Sequence, residues 1–187
     1  DQFGSRSPYN LPMDLAFSGK LDVVALQQSL EEIVRRHESL RTTFATDEGI
    51  PYQVIHPQMR INLPVIDLSE YDSETQRTEI ENLTLTEARR CFDLSRDPML
   101  RGILLYLGNS PLSLETLQLD DTETHHILLL TLHHIAADGW SLEILMQELT
   151  TLYSAFSQRQ PSPLPDLPIQ YADFAVWQRN YLQGDIF

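Results

Sequence analysis

The ten residues Leu132-His133-His134-Ile135-Ala136-Ala137-Asp138-Gly139-Trp140-Ser141 stand between two patterns of different period. Before them, Thr124 to His134 is a near-continuous apolar run of strand length, as a central strand covered on both faces requires. After them, Leu142, Leu145, Met146, Leu149, Leu152, Tyr153 and Phe156 fall on one helical face, the strongest such face in the chain. Ser141 is the expected N-cap of that helix. A buried strand that passes through a polar corner into an amphipathic helix points to an α/β arrangement.

The alternation continues outward in both directions. Met99 to Leu107 is a second apolar run of strand length, and Met13 to Ser18 reads as a strand followed by a turn that ends in an N-cap at Asp22. Leu26, Leu30, Ile33 and Val34 mark a helix running to His37. Ser39 to Thr46 and Pro51 to His56 flank Asp47-Glu48-Gly49 and predict a hairpin, with a further short strand near Ile61 to Ile66. Ile80, Leu83, Ala88 and Cys91 give a weaker helical stripe between Tyr71 and Cys91, and Gly108 to Asp121 reads as a polar loop. Four prolines between Gln160 and Pro168 impose an extended connection before a last helix, Ile169 to Leu182. No block is all-β or all-helical, so the expected class is α/β, a mixed β-sheet flanked by helices.

Composition narrows the functional classes. The chain has 187 residues, 42% of them apolar, and 13 basic against 27 acidic side chains give a net charge of −14. That apolar share excludes a disordered tail, and the length suits one domain or two small ones. An acidic chain without a stripe of Lys and Arg among aromatics repels a phosphate backbone, so no nucleic-acid partner is expected. No apolar run approaches the roughly 18 residues of a membrane span, so no membrane association is expected either. Cys91 is the sole cysteine and has no disulfide partner within the chain, which makes a cytoplasmic setting the default. The chain lacks an initiating Met and stops at Ile186-Phe187 soon after a helical segment, so a piece of a longer protein is expected.

Chemistry concentrates in the opening decapeptide. Adjacent side chains on a strand face opposite ways, so one of His133 and His134 is expected in the packed interior and the other toward a cleft. An imidazole there can accept a proton from an attacking amine or hydroxyl, or donate to a developing charge. Asp138 is placed to orient a histidine or to pair with a buried arginine, and Gly139 leaves room for a substrate or an unusual backbone angle. Zinc would need at least three converging ligands, whereas His125 and His126 lie roughly 26 Å away along the strand, so no metal is expected. Ser141 lacks a Gly-x-Ser-x-Gly elbow and suits capping rather than nucleophilic attack. Cys91 is expected in buried packing, and Arg36, His37 and Glu38 at a solvated helix end.

The run His133-His134-Ile135-Ala136-Ala137-Asp138-Gly139 resembles the His-His-x-x-x-Asp-Gly motif of nonribosomal peptide synthetase condensation domains, which belong to the chloramphenicol acetyltransferase-like superfamily. Arg36-His37-Glu38-Ser39-Leu40-Arg41-Thr42-Thr43-Phe44 resembles that family's second motif, and Tyr171-Ala172-Asp173-Phe174-Ala175-Val176-Trp177 its fourth. Tyr9-Asn10-Leu11-Pro12 resembles the segment just after the first motif. The matches run in order over nearly the whole chain. They imply that residues 1–187 form the N-terminal lobe of such a domain, with the first motif upstream and the C-terminal lobe absent.

The resemblance implies amide bond formation between a donor thioester and an acceptor aminoacyl amine, each held by a peptidyl carrier protein. The implied partners are those two carriers and the C-terminal lobe. No cofactor is implied on this chain itself, the phosphopantetheine being presented by the carriers. The implied catalytic group is His134, with His133, Asp138 and Gly139 of the same motif, His134 acting as base or by positioning and charge stabilisation of the amine. An ion pair between Arg41 and Asp138 is implied as structural, and Trp140 and Ser141 are candidates for the substrate channel. Tyr171 and Trp177 are expected mainly in packing. The form of the Arg36-to-Arg41 segment looks like that of domains taking an L-configured donor. Alternatives are an epimerisation domain, a coenzyme A-dependent acyltransferase of the same superfamily, or a non-catalytic carrier-docking module. Little or no activity is expected from these 187 residues alone.

Overall fold

The architecture follows from where the chain can hide its apolar runs. The computed structural model describes residues 9–109, 113–114, 117–118 and 124–182. Strand β1 (Asn10–Ser18) leads into helix α1 (Val23–Arg36), which Asp22 caps by accepting the Ala25 N–H at 3.0 Å. A short 3-10 turn (Glu38–Arg41) precedes the hairpin of β2 (Thr42–Asp47) and β3 (Ile50–Ile55). Its two-residue loop, Glu48-Gly49, has positive φ at both positions, 48° and 85°, as a type I′ turn demands.

Strand β4 (Val65–Asp67), helix α2 (Ser73–Arg89) and strand β5 (Leu100–Gly108) form a βαβ unit, β4 and β5 being parallel. The short antiparallel strands β6 (Ser113–Leu114) and β7 (Leu117–Gln118) fall within the loop expected from Gly108 to Asp121. Residues 110–112, 115–116 and 119–121 of that loop lie outside the described residues. Strand β8 (His125–His133), helix α3 (Gly139–Ser157) and helix α4 (Tyr171–Leu182) complete the order.

The main sheet runs β1-β8-β5-β4, with β8 antiparallel to both neighbours. All nine residues of β8 are buried, which is why its sequence is apolar without alternation. One face carries Leu128, Leu130 and Leu132 against α1 and α3, where Leu26, Leu30, Leu145, Leu149 and Leu152 meet them. The other face turns Ile127 and Leu129 toward Ile80 of α2. The result is a mixed sheet between helical layers, the α/β class expected. Near the β5–β8 bulge Gly108 takes a φ of 67°, and a Cβ there would stand 2.9 Å from Ser69 Cβ. Among the described residues no helix is long and apolar enough to cross a membrane.

Arg101 and Asn10 tie α2 to the sheet. Arg101 Nε donates to Glu87 Oε2 at 3.0 Å and its Nη2 to the Glu87 carbonyl, while its guanidinium lies 4.0 Å over the Phe92 ring. Asn10 Nδ2 donates to the carbonyls of Ala88 and Arg90. Both side chains thereby satisfy carbonyls that the end of α2 leaves without helical partners. Cys91, expected in packing, is exposed, because the chain has left α2 at that point.

Candidate active site

Strand β8 ends on His133, whose side chain and that of His134 just beyond it enter opposite environments. His133 packs on the α2 side, with Phe92 edge-on at 5.5 Å and Tyr9 at 6.0 Å between ring centroids. Its Nδ1 accepts the Ile135 N–H at 3.1 Å. Burial pushes the His133 pKa below 6.5, and His134 and Arg101 act in the same direction, so the ring is neutral with its proton on Nε2. His134 lies one residue past the strand and is exposed. Its backbone is fixed by an N–H bond to the Tyr9 carbonyl at 2.7 Å, and Ala136 N–H bonds the His133 carbonyl at 3.0 Å to close the turn. His134 borders a groove of about 160 Å³ with Ser39, Ala137, Asp138, Ser141 and Tyr171. His133 is not among the residues that line it.

Asp138, not Ser141, is the N-cap of α3. Asp138 Oδ1 accepts the Ser141 N–H at 2.9 Å and the Ser141 hydroxyl at 2.7 Å, and Asp138 N–H donates to Ser141 Oγ at 3.2 Å. These bonds hold the Asp138 carboxyl below the usual carboxylate range. The ion pair expected between Asp138 and Arg41 is not formed. Arg41 donates instead to Glu38 Oε1 at 3.3 Å, to the His56 carbonyl and to the Arg35 carbonyl. The physical reason is exposure: Asp138 sits at the surface on the helix N-terminus, which already meets its charge. Gly139 is the first residue of α3 without an unusual φ, and a Cβ on it would meet nothing within 4 Å. It leaves space beside the groove rather than a special backbone.

The buried ionic group that does exist involves residues expected at the surface. Arg36 is buried and grips Glu148 of α3 with two bonds, Nη2 to Oε1 at 3.0 Å and Nε to Oε2 at 3.3 Å. His37 Nε2 meets Glu148 Oε2 at 2.8 Å. Burial alone would raise the Glu148 pKa, but the bonds from Arg36 and His37 outweigh it and hold the carboxyl below its ordinary value. Arg36 also donates to the Pro165 carbonyl at 2.7 Å, and Gln170 bridges the Arg36 carbonyl and the Glu38 N–H. The proline-rich connection and the start of α4 are thus fastened to the end of α1. One signal was available in the sequence: Glu148 lies on the apolar face of α3, where an acid must have a partner.

That fastening brings Tyr171 to the groove. Tyr171 is 66% exposed and borders both the His134 groove and a cavity of about 190 Å³ between α1 and α3. Tyr171 and Trp177, expected in packing, instead belong to an exposed ladder with Phe174 and Tyr181, adjacent rings standing 5.3–6.0 Å apart. Trp140 is 75% exposed at the first turn of α3. Among the described residues no cluster of three His, Cys, Asp or Glu side chains could hold a metal ion.

Residues 2–187 match a family model described as Condensation domain. The chain belongs to the condensation-domain family. It is 44% identical over 177 residues to chondramide synthase cmdD of Chondromyces crocatus, covering 95% of this chain. It is 40% identical over 174 residues to cyclosporin synthetase simA of Tolypocladium inflatum, covering 92% of this chain. The chain spans only 4% and 1% of the length of these relatives. Among solved structures, the X-domain in complex with OxyB from teicoplanin biosynthesis has a TM-score of 0.77 and 28% identity, covering 97% of this chain and 35% of that one. The epimerization domain from the third module of tyrocidine synthetase B shares the fold, with a TM-score of 0.76 at 22% identity, covering 95% of this chain and 36% of that one. The expected architecture, one lobe of a chloramphenicol acetyltransferase-like fold, agrees with these neighbours.

Proposed function

We propose that the chain is the N-terminal lobe of a condensation domain and supplies the histidine for amide bond formation between two carrier-bound substrates. The observation that carries the reading is the separation of the two motif histidines, His133 packed and His134 open to a groove at the end of the central strand. In the reaction the acceptor amine nitrogen attacks the donor thioester carbonyl. The C–N bond forms, the C–S bond breaks, the amine loses a proton and the departing pantetheine sulfur takes one up. His134 accepts that proton or holds the amine and its developing charge.

In this reading His133 is a positioning residue whose bond to Ile135 N–H shapes the turn that carries His134. Asp138 and Ser141 set the start of α3, Gly139 leaves room for the substrate, and Trp140 borders its path. Donor and acceptor carrier proteins, each with phosphopantetheine, are the partners, and a C-terminal lobe supplies the opposite wall of the groove. The exposed Ile135 and Tyr171 beside His134 support an uncompleted wall. The reading places the protein in the cytoplasm.

The test is a single-turnover assay by intact mass on the full-length protein containing this chain, with donor-loaded and aminoacyl-loaded carriers. The acceptor carrier gains the donor's mass, and His134→Ala slows that gain by about 10²–10⁴. Absence of any gain in the wild type rejects the reading and turns attention to epimerisation or carrier docking.

A further inference from the structure

The cavity of about 190 Å³ lies behind the turn that presents His134 and shares Ser39, Ala136, Ala137, Ser141 and Tyr171 with the groove in front of it. Its walls are apolar, with Ile33, Leu40, Leu132 and Leu145 among them. The volume is below the roughly 300–1,000 Å³ that holds a whole small-molecule ligand, and suits one amino-acid side chain.

Four residues with polar side-chain atoms border this space, His37, Ser39, Ser141 and Tyr171. The Ser141 hydroxyl is committed to Asp138. His37 Nε2 meets Glu148 Oε2 at 2.8 Å, which leaves Nδ1 as the ring atom without a hydrogen-bond partner among the described residues. Ser39 Oγ has no hydrogen-bond partner among the described residues. The second His37 ring nitrogen and the hydroxyls of Ser39 and Tyr171 therefore remain for an occupant in an otherwise apolar space. The Arg36–Glu148 pair behind His37 fixes the orientation of that ring.

We propose that this cavity is the side-chain pocket for one of the two carrier-bound aminoacyl groups, and that His37 and Ser39 make it select a compact side chain ending in a hydroxyl. The proposal rests on the condensation reading for the identity of its ligand. An apolar isostere leaves His37 Nδ1 and Ser39 Oγ without partners, which is the usual basis for rejecting an analogue that lacks a hydroxyl.

Stable pantetheine amides of threonine and valine, which differ by a hydroxyl against a methyl, serve as probes, titrated by calorimetry into the full-length protein containing this chain. The threonyl probe binds about tenfold more tightly, less than in a fully enclosed site because water reaches the pocket. His37→Leu and Ser39→Ala bring the ratio near one, and Ile144→Trp, which narrows the cavity from a partly exposed helix position, weakens both probes. His37→Leu also takes a partner from Glu148. Should that variant not fold, Ser39→Ala decides, since it touches no part of the ion pair. Equal affinities in the wild type, or an unchanged ratio in the folded variants, overturn the proposal. The same two amino acids are then loaded on the donor or the acceptor carrier in the transfer assay. Preference on one carrier identifies the source of the side chain, and preference on neither overturns the pocket. A threonyl preference in binding with no transfer at all rejects the condensation reading and leaves the pocket standing.

Discussion

Arg36 and Glu148 are each other's main compensation for burial, since Arg36 keeps 3% of its side chain exposed and Glu148 11%. Removing one charge strands the other, so Arg36→Ala or Glu148→Ala is expected to cost about 3–5 kcal/mol in urea unfolding. Glu148 ionises more readily in the folded chain than in the unfolded one. Its contribution is therefore complete above the ordinary glutamate value of 4.5 and disappears as pH falls through the lowered folded value. Unfolding midpoints measured on acidification should fall less steeply in Glu148→Gln than in the wild type, and an identical slope would show that this carboxylate is not the titrating group. The pairing itself was not legible in the sequence. Arg36 and Glu148 are 112 residues apart, and nothing local says which arginine meets which acid. The Arg41–Asp138 pair implied by the resemblance is not formed for the related reason that Arg41 finds Glu38 three residues away and Asp138 stays exposed, and burial of neither could be read from the sequence.

At the scale of the element, Asp138 acts through hydrogen bonds rather than through ion pairing. Asp138→Asn keeps an oxygen that can accept from Ser141 N–H, whereas Asp138→Ala does not. Thermal unfolding should therefore leave the asparagine variant near the wild type and the alanine variant clearly below it. Equal losses in both would mean that the charge, not the cap, matters. Elements were the most legible level, because each long one carries a period set by its neighbours on both sides. The helix face from Leu142 to Phe156 and the buried run ending at His133 are unambiguous for this reason. Boundaries were less so. Asp138 and Ser141 both suit a helix start, and only the backbone shows that Asp138 takes the cap while Ser141 answers it from the third helical position.

For the whole molecule, the central position of β8 makes its side chains the costliest to truncate. Leu128 has no exposed surface and packs in the layer between the sheet and helices α1 and α3, so Leu128→Ala should lose about 2–5 kcal/mol by denaturant unfolding. A loss under about 1 kcal/mol would mean the cavity collapses or the sheet is not the core of stability. The aromatic ladder of α4 has the opposite character, since none of its residues is buried. Contiguous exposed aromatics favour association, so the 187-residue chain should show concentration-dependent sedimentation that Phe174→Asp with Trp177→Asp diminishes. The sheet class was legible from alternation alone, but the strand order β1-β8-β5-β4 was not, because no local pattern says that the first strand pairs with the last.

That strand order also sets a timetable during synthesis. Asn10 pairs with His133, so 123 residues must follow Asn10 off the ribosome before its partner exists. At about 5–20 residues per second this is a wait of roughly 6–25 s, during which β1, joined by β5 near the end of that wait, lacks the strand that belongs between them. A nascent chain bearing several such lobes in succession would offer each waiting β1 a β8 from the wrong copy. Correct assembly then depends on the nearer partner arriving first, and slowing translation between residues 109 and 125 would lengthen the interval in which the wrong one can intrude.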